Sequence, residues 1–369
     1  MIDYIQIEGF KSIKKMEMAL LPINILIGSN GSGKSNFISF FKLISAIFNK
    51  GLQKYVKEEK PDNLLYFGRK QTKVMLGKII FTNDGEHNNA YIFELAQTNE
   101  GGLYLLSEGS GYDVSVENDI HNYYYNSILD ESKFANDTWK RQRILQAYIS
   151  ALKVFHFHDT SSTSYLRKES DINDNRYFKP DGRNLPSYLY LLKTDHPKIY
   201  SRIEKTIQSI APYISKFILE PQRRAGQEEE IELRWVDKGD EESDFSAYQL
   251  SDGTLRFIAL AVLLMQPKPP DVIIIDEPEL GLHPFAIGKL AGMVQAASAK
   301  CQVIIATQSP GLISHFSPED VIVMDKSKEE NQTIFKRLNS DELSMWLNEY
   351  TLGDLWERNI INAAQPFTK

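Results

Sequence analysis

A strand, a glycine-rich loop and a helix follow one another without a gap between Ile23 and Phe48, and no other run narrows the fold as far. Ile23 to Ile27 is an apolar β run, and Gly28 to Ser35 spells G-x-x-x-x-G-K-S. Apolar side chains then recur at Phe37, Phe40, Phe41, Ile44, Ile47 and Phe48. That spacing marks a helix with one buried face, and Lys50-Gly51 supplies a glycine stop. Glycines at 28, 31 and 33 let backbone N–H groups turn inward without a clashing Cβ. They form an anion nest at a helix N-terminus, where the macrodipole also favours negative charge. Ser29, Asn30, Gly31, Ser32, Gly33, Lys34, Ser35 and Asn36 therefore read as a phosphate-binding segment. Lys34 is placed for the β- and γ-phosphates and the Ser35 hydroxyl for Mg²⁺. The alternative, a glycine-rich turn without a ligand, is disfavoured by the flanking strand and helix.

Two later motifs fit the same chemistry. Val272 to Ile275 is a buried strand ending in Asp276, Glu277 and Pro278. An aspartate at a strand C-terminus can hold Mg²⁺, and the adjacent Glu277 can polarise an attacking water. Leu250 to Thr254 (Leu-Ser-Asp-Gly-Thr) opens a helix running to Met265, so Ser251 and the Gly253 amide make a second anion-binding helix end. A triphosphate already held at Lys34 has no use for that second end within one chain. Its natural use is across an interface, on a nucleotide bound to another subunit; a plain Ser-capped helix is the alternative.

The rest of the chain supplies lobes around these motifs. Strands are expected at Ile2 to Ile7, Met16 to Leu20, Lys73 to Phe81, Tyr91 to Gln97 and Leu103 to Leu106, with turns at Asn83-Asp-Gly and Asn99-Glu-Gly-Gly. Helices are expected at about Asp119 to Lys153, with Ile144, Leu145, Tyr148, Ile149 and Leu152 inward, and at Leu185 to Leu192 and Pro197 to Ile210. Ser161 to Arg183 and the acidic Asp237 to Asp244 read as surface loops, and a strand Lys153 to Phe157 ends in His158-Asp159-Thr160. A βαβ unit runs through Val272 to Ile275, Ala286 to Ala297 and Gln302 to Ala306, and Val321 to Met324 and Thr333 to Leu338 close the sheet. The expected division is an N-terminal lobe (1–118), a helical insertion (119–215) and a C-terminal lobe (216–369).

The three motifs, with the opening Ile-Glu-Gly-Phe-Lys-Ser (7–12) and Asp-Glu-Pro-Glu-Leu-Gly-Leu-His-Pro (276–284), resemble the RecF/SMC class of ABC-type ATPase heads. More narrowly, the chain resembles compact bacterial AAA-family ATPases of that class, some encoded in anti-phage defence loci. The resemblance spans nearly the whole chain and is far more specific for the class than for a pathway. It implies an α/β P-loop NTPase fold with an antiparallel β lobe and an inserted helical lobe, ATP and Mg²⁺ as ligands, and an ATP-sandwiched homodimer open to higher assembly. Ser251 and Gly253 would then contact the partner's γ-phosphate, and Leu280 to His283 would face its active site; His283 reads equally well as a structural histidine. On the resemblance alone, Lys11 would reach the nucleotide.

Two positions depart from the class. Thr307-Gln308-Ser309-Pro310 stands where many relatives carry a histidine. Gln308 can hydrogen-bond a phosphate or water but cannot carry a proton charge, which implies slow turnover. No glutamine follows the strand before the signature; His158 to Thr160 stand there. His156 and His158 share a strand face, as a strand-end pair or a metal site.

The expected function is an ATP-gated dimeric ATPase switch in a DNA-linked or anti-phage role with a separate effector. A membrane-transporter ATPase subunit is the alternative, against which stand the roughly 215 residues between phosphate loop and signature. A fused nuclease is disfavoured by the roughly 45 residues after Met324. Basic clusters at Lys140-Arg141-Gln-Arg143 and Arg223-Arg224 offer DNA contact or a solvated face, and a net charge of −7 leans toward the latter. The longest apolar run, Phe257 to Met265, is too short for a membrane span. One cysteine, Cys301, and no apolar leader fit the cytoplasm.

Overall fold

The computed structural model describes residues 1–82, 88–112, 128–134, 140–223, 229–327 and 331–362. Its strands in chain order are β1 (Ile2–Phe10), β2 (Ile13–Ala19), β3 (Ile23–Ile27), β4 (Val74–Phe81), β5 (Asn89–Gln97), β6 (Leu103–Tyr112), β7 (Leu152–Phe155), β8 (Ser170–Asp171), β9 (Ile214–Ile218), β10 (Gln222–Arg223), β11 (Glu229–Ile231), β12 (Arg234–Asp237), β13 (Asp240–Ser246), β14 (Val272–Asp276), β15 (Gln302–Thr307), β16 (Val321–Lys326) and β17 (Thr333–Arg337). The helices are α1 (Lys34–Phe48), α2 (Leu52–Glu59), α3 (Pro61–Leu64), α4 (Gly68–Gln71), α5 (Lys140–Ser150), α6 (Leu185–Asp195), α7 (Pro197–Ile210), α8 (Asp252–Met265), α9 (Pro284–Ser298), α10 (Pro310–Ile313), α11 (Ser340–Leu347) and α12 (Leu352–Glu357).

Two sheets dominate. One is antiparallel, in the order β2-β1-β4-β5-β6; the other runs β17-β16-β3-β15-β14-β7, parallel except for the β16–β17 pair. A parallel strand covered on both faces is apolar throughout, and the pleat divides its side chains between two cores. Val272 and Ile274 pack with α1 and the antiparallel sheet, whereas Ile273 and Ile275 pack with α6 to α9. α1 is thus clamped between the sheets, with all six of its sequence-marked apolar residues buried. Phe40 is fully buried, 5.6 Å from Phe10 and 6.0 Å from Phe93 between ring centroids. Phe40→Ala is expected to cost about 3–5 kcal/mol, read as a fall in denaturant midpoint.

Several elements differ from the sequence reading. The stop after α1 is a Schellman turn in which Lys50, not Gly51, takes the left-handed conformation (φ 54°). Gly51 N–H closes it on Ala46 O at 2.8 Å. The helix expected from Asp119 to Lys153 is confined to Lys140–Ser150: residues 128–134 are not α-helical, 119–127 and 135–139 lie outside the described residues, and Leu152 belongs to β7, which pairs with β14 at the edge of the parallel sheet. The 119–215 range therefore contains a strand of the main sheet beside α5, α6 and α7. The acidic Asp237 to Asp244 segment is a hairpin: β13 pairs with β12, its acids pointing into solvent. Ser161 to Arg183 carries β8 and buries Leu166, Arg167 and Phe178. The Asn83-Asp-Gly turn lies outside the described residues, as do Arg224 and the side chains of Lys140, Arg141 and Arg223; Arg143 is exposed on α5. No helix among the described residues is long and apolar enough to cross a membrane.

Candidate nucleotide site

Parallel pairing brings the site together. Ile27 lies opposite Thr307, and Ala306 opposite Asp276, so the residues leaving β3, β15 and β14 form one row at their C-terminal edge. Gly28, Gln308 and Glu277 are the next residues along. The ends of α/β strands are where ligands bind in such sheets.

In the loop, Gly31 and Gly33 have φ of 81° and 107°, conformations that side chains rarely adopt. A Cβ on Gly33 would lie 2.4 Å from Thr333 Oγ1, so the helix start tolerates only glycine there. Ser29, Asn30 and Gly31 are exposed, and the buried Ser32 hydroxyl has no partner. Lys34 Nζ donates to Gly28 O at 2.5 Å and Ser29 O at 3.2 Å, so its ammonium lies along the loop's own carbonyls. Ser35 Oγ donates to Asp276 Oδ2 at 3.5 Å, and Asn36 turns away to Ser12 Oγ at 2.8 Å. The glycine cradle, the orphan Ser32 hydroxyl and the hydroxyl–carboxylate pair fit a phosphate chain with a divalent cation.

Glu277 sits at φ 40°, unusual for a residue with a side chain, and its N–H is tied to Ala306 O at 2.7 Å. Gln308 Nε2 donates to Glu277 Oε1 at 2.7 Å. Burial pushes the Asp276 carboxyl above its usual range and the neighbouring Glu277 charge adds to this, while His158, Lys34 and Lys42 pull it back. Burial lowers Lys34 against the pull of Glu277, Asp276 and Glu279. Carboxyls held this way gain from an added cation.

A cavity of about 480 Å³ adjoins the loop, lined by Lys11, Ser12, Asn36, Asp62, Tyr66 and Phe67 among others. Lys11 reaches this wall, but its Nζ pairs with Glu59 at 3.3 Å.

The signature opens elsewhere on the surface. Ser251 is exposed and caps α8, its Oγ accepting from Thr254 N–H at 3.2 Å. A Cβ on Gly253 would meet Gly281 O at 2.4 Å, so this glycine is required within its own subunit. Ser251, Gly253, Gly281, Leu282 and His283 share one depression of about 160 Å³. His283 Nδ1 accepts from Phe285 N–H at 3.2 Å as the cap of α9. Phe285 lines it 56% exposed, and Tyr248 and Leu280, close in sequence to Ser251 and Gly281, are 51% and 49% exposed.

Sequence reasoning missed two buried arginines and an acid. Arg167 donates to Thr160 O, Ala247 O and Leu250 O, and pairs with Asp252 at 2.7 Å. Arg256 donates to Phe157 O at 2.9 Å and His158 O at 3.0 Å. His158 Nε2 lies 2.9 Å from Asp276 O, which makes the ring the donor. The histidine after β7 thus touches main chain at the acidic motif. His156, pushed down to about 4 by burial with help from Lys42 and His158, has its ring centroid 6.4 Å from that of His158. No three His, Cys, Asp or Glu side chains gather into a metal cluster among the described residues. The acid, Glu279, lies under Gln308. Glu279 and Arg256 lie in or just after a motif, which is the signal that could have marked them; Arg167 lies in a segment that reads as a surface loop and carries none.

The chain is similar to known proteins along most of its length. It is 24% identical over 379 residues to the Old nuclease of Escherichia phage P2, a match spanning 92% of this chain but 61% of that protein. An Smc head solved with the C-winged helix domain of ScpA superposes with a TM-score of 0.60 at 15% identity, covering 92% of this chain and 98% of that one. A Pyrococcus furiosus Smc head with an extended coiled coil, bound to the C-terminal domain of ScpA, gives 0.54 at 14% identity, covering 94% and 98%. These likenesses make the fold a P-loop NTPase fold of the SMC-head type. The family described as AAA domain, putative AbiEii toxin, Type IV TA system matches residues 23–314, and the chain belongs to that family.

Proposed function

We propose that this chain binds and hydrolyses ATP and acts as an ATP-gated homodimeric switch. The observation that carries this reading is the Ser35–Asp276 contact standing beside the Gln308–Glu277 pair in one row of strand ends. Lys34 and the loop amides hold the β- and γ-phosphates, and the nucleoside lies toward the cavity walled by Lys11, Tyr66 and Phe67. Mg²⁺, held by Ser35 and Asp276, supplies neutralisation of phosphate charge. Glu277 takes the proton of the attacking water, and Gln308 keeps its carboxylate oriented.

Ser251 and Gly253 act on the nucleotide of a second copy. Exposure of Ser251, of Phe285 beside it and of the apolar Tyr248 and Leu280 supports an interface there. ATP favours the closed dimer only through contacts made in that state, and these residues provide them. A cytoplasmic, phage-linked role with a separate effector completes the reading. The phage link is supported by the likeness to the Old nuclease of Escherichia phage P2. DNA contact would use the basic clusters around Arg143 and Arg223.

Light scattering tests the dimer. With ATP and Mg²⁺, the mass should double from the 42.3 kDa monomer. Ser251→Arg should hold the mass at the monomer value while ATP affinity changes less than about twofold. A constant mass for the unaltered chain in every nucleotide condition would count against the sandwich.

A further inference from the structure

Glu279 has no task in the scheme above, yet it is placed to serve it. Its carbonyl closes a turn by accepting from Leu282 N–H at 2.9 Å, which folds the side chain back under the end of β15. There Oε1 accepts from the Thr307 hydroxyl and, at 3.4 Å, from Gln308 N–H. Oε2 is buried without a partner. Burial pushes this carboxyl up, against the bonds from Thr307 and Gln308. A carboxylate that keeps one oxygen buried and unsatisfied destabilises its surroundings, so packing alone does not account for it.

Two links run from it to the reacting end of the site. Glu279 grips the Gln308 main chain, and the Gln308 amide grips Glu277 Oε1 at 2.7 Å. Glu277 occupies a left-handed backbone position, so its carboxylate depends on such outside support for its direction. We propose that Glu279 is a positioning residue for ATP hydrolysis, fixing the Thr307–Gln308 strand end so that the Gln308 amide holds the Glu277 carboxylate toward water. This rests on the ATPase reading and adds a residue that touches neither nucleotide nor metal.

The test compares steady-state hydrolysis and nucleotide affinity on the full chain. Glu279→Ala should lower kcat about 30- to 100-fold with KM and ATP affinity within about twofold. Glu279→Gln keeps an acceptor at Oε1 and should restore most of the rate. Because the effect passes through Gln308, adding Glu279→Ala to Gln308→Ala should slow the enzyme no further. Thr307→Val, which leaves the acid in place and removes its hydroxyl partner, should lower kcat in the same direction. The proposal is overturned by an unchanged kcat in Glu279→Ala, by losses that multiply in the double variant, or by a Gln variant as slow as the Ala variant. Absence of hydrolysis by the unaltered chain would instead overturn the ATPase reading itself.

Discussion

Lys34→Ala is expected to weaken ATP binding by about 100-fold or more in calorimetry. A charge-assisted hydrogen bond contributes about 1.5–3 kcal/mol, and an ammonium between two phosphates makes at least two. The substitution is expected to leave the fold intact, because among the described residues Lys34 Nζ bonds to the carbonyls of Gly28 and Ser29, within its own loop. A melting temperature near that of the unaltered chain should accompany the loss, which separates a missing ligand contact from a collapsed loop. Unchanged affinity would remove Lys34 from the phosphate site and with it the meaning assigned to the glycines around it.

The second large effect is expected at Glu277. Glu277→Gln preserves an oxygen for the Gln308 amide, whose bond to Glu277 Oε1 is 2.7 Å, so the local arrangement survives. What the variant cannot do is accept a proton from water. Hydrolysis should fall about 100- to 1000-fold while ATP binding persists, and the closed dimer should accumulate in light scattering. A variant that turns over at the original rate would show that the proton goes elsewhere. Because Gln308 cannot serve as a proton acceptor at any ordinary pH, that outcome would direct attention to water or to the nucleotide's own phosphate.

The parts of this molecule written in local pattern were readable in advance. The phosphate loop needs glycine at fixed positions, α1 repeats its apolar face every turn, and β14 is buried on both sides; each leaves a mark within a few residues. The parts decided by distant partners were not. Apolar residues continue from Ile144 through Leu152 with helical spacing, so nothing in the segment marks where α5 yields to β7. Pairing with β14 makes that decision from more than a hundred residues away. The acids of β13 look like a loop because strand propensity is low there, yet β12 offers hydrogen bonds and the edge lets every carboxylate reach water. Lys50 took the left-handed place beside a glycine because the turn geometry counts residues from the helix end, not from the nearest glycine.

The site was readable to the same extent. Lys34, Ser35, Asp276, Glu277 and Gln308 were expected together; strand register aligns the strand ends at Asp276, Glu277 and Gln308, and Ser35 reaches them from the start of α1 through Asp276. Glu279, Arg167 and Arg256 were not, because their bonds span 28, 85 and 99 positions of the chain.

The acceptors chosen by the two arginines carry a consequence for descent. Arg256 and most of Arg167 grip carbonyls of the backbone, which every amino acid possesses, at positions 157, 158, 160, 247 and 250. Substitutions at those five places can accumulate without loosening either grip, provided the chain keeps its course. Distant cousins would then share the two guanidinium clasps while showing no common letters where the clasps close.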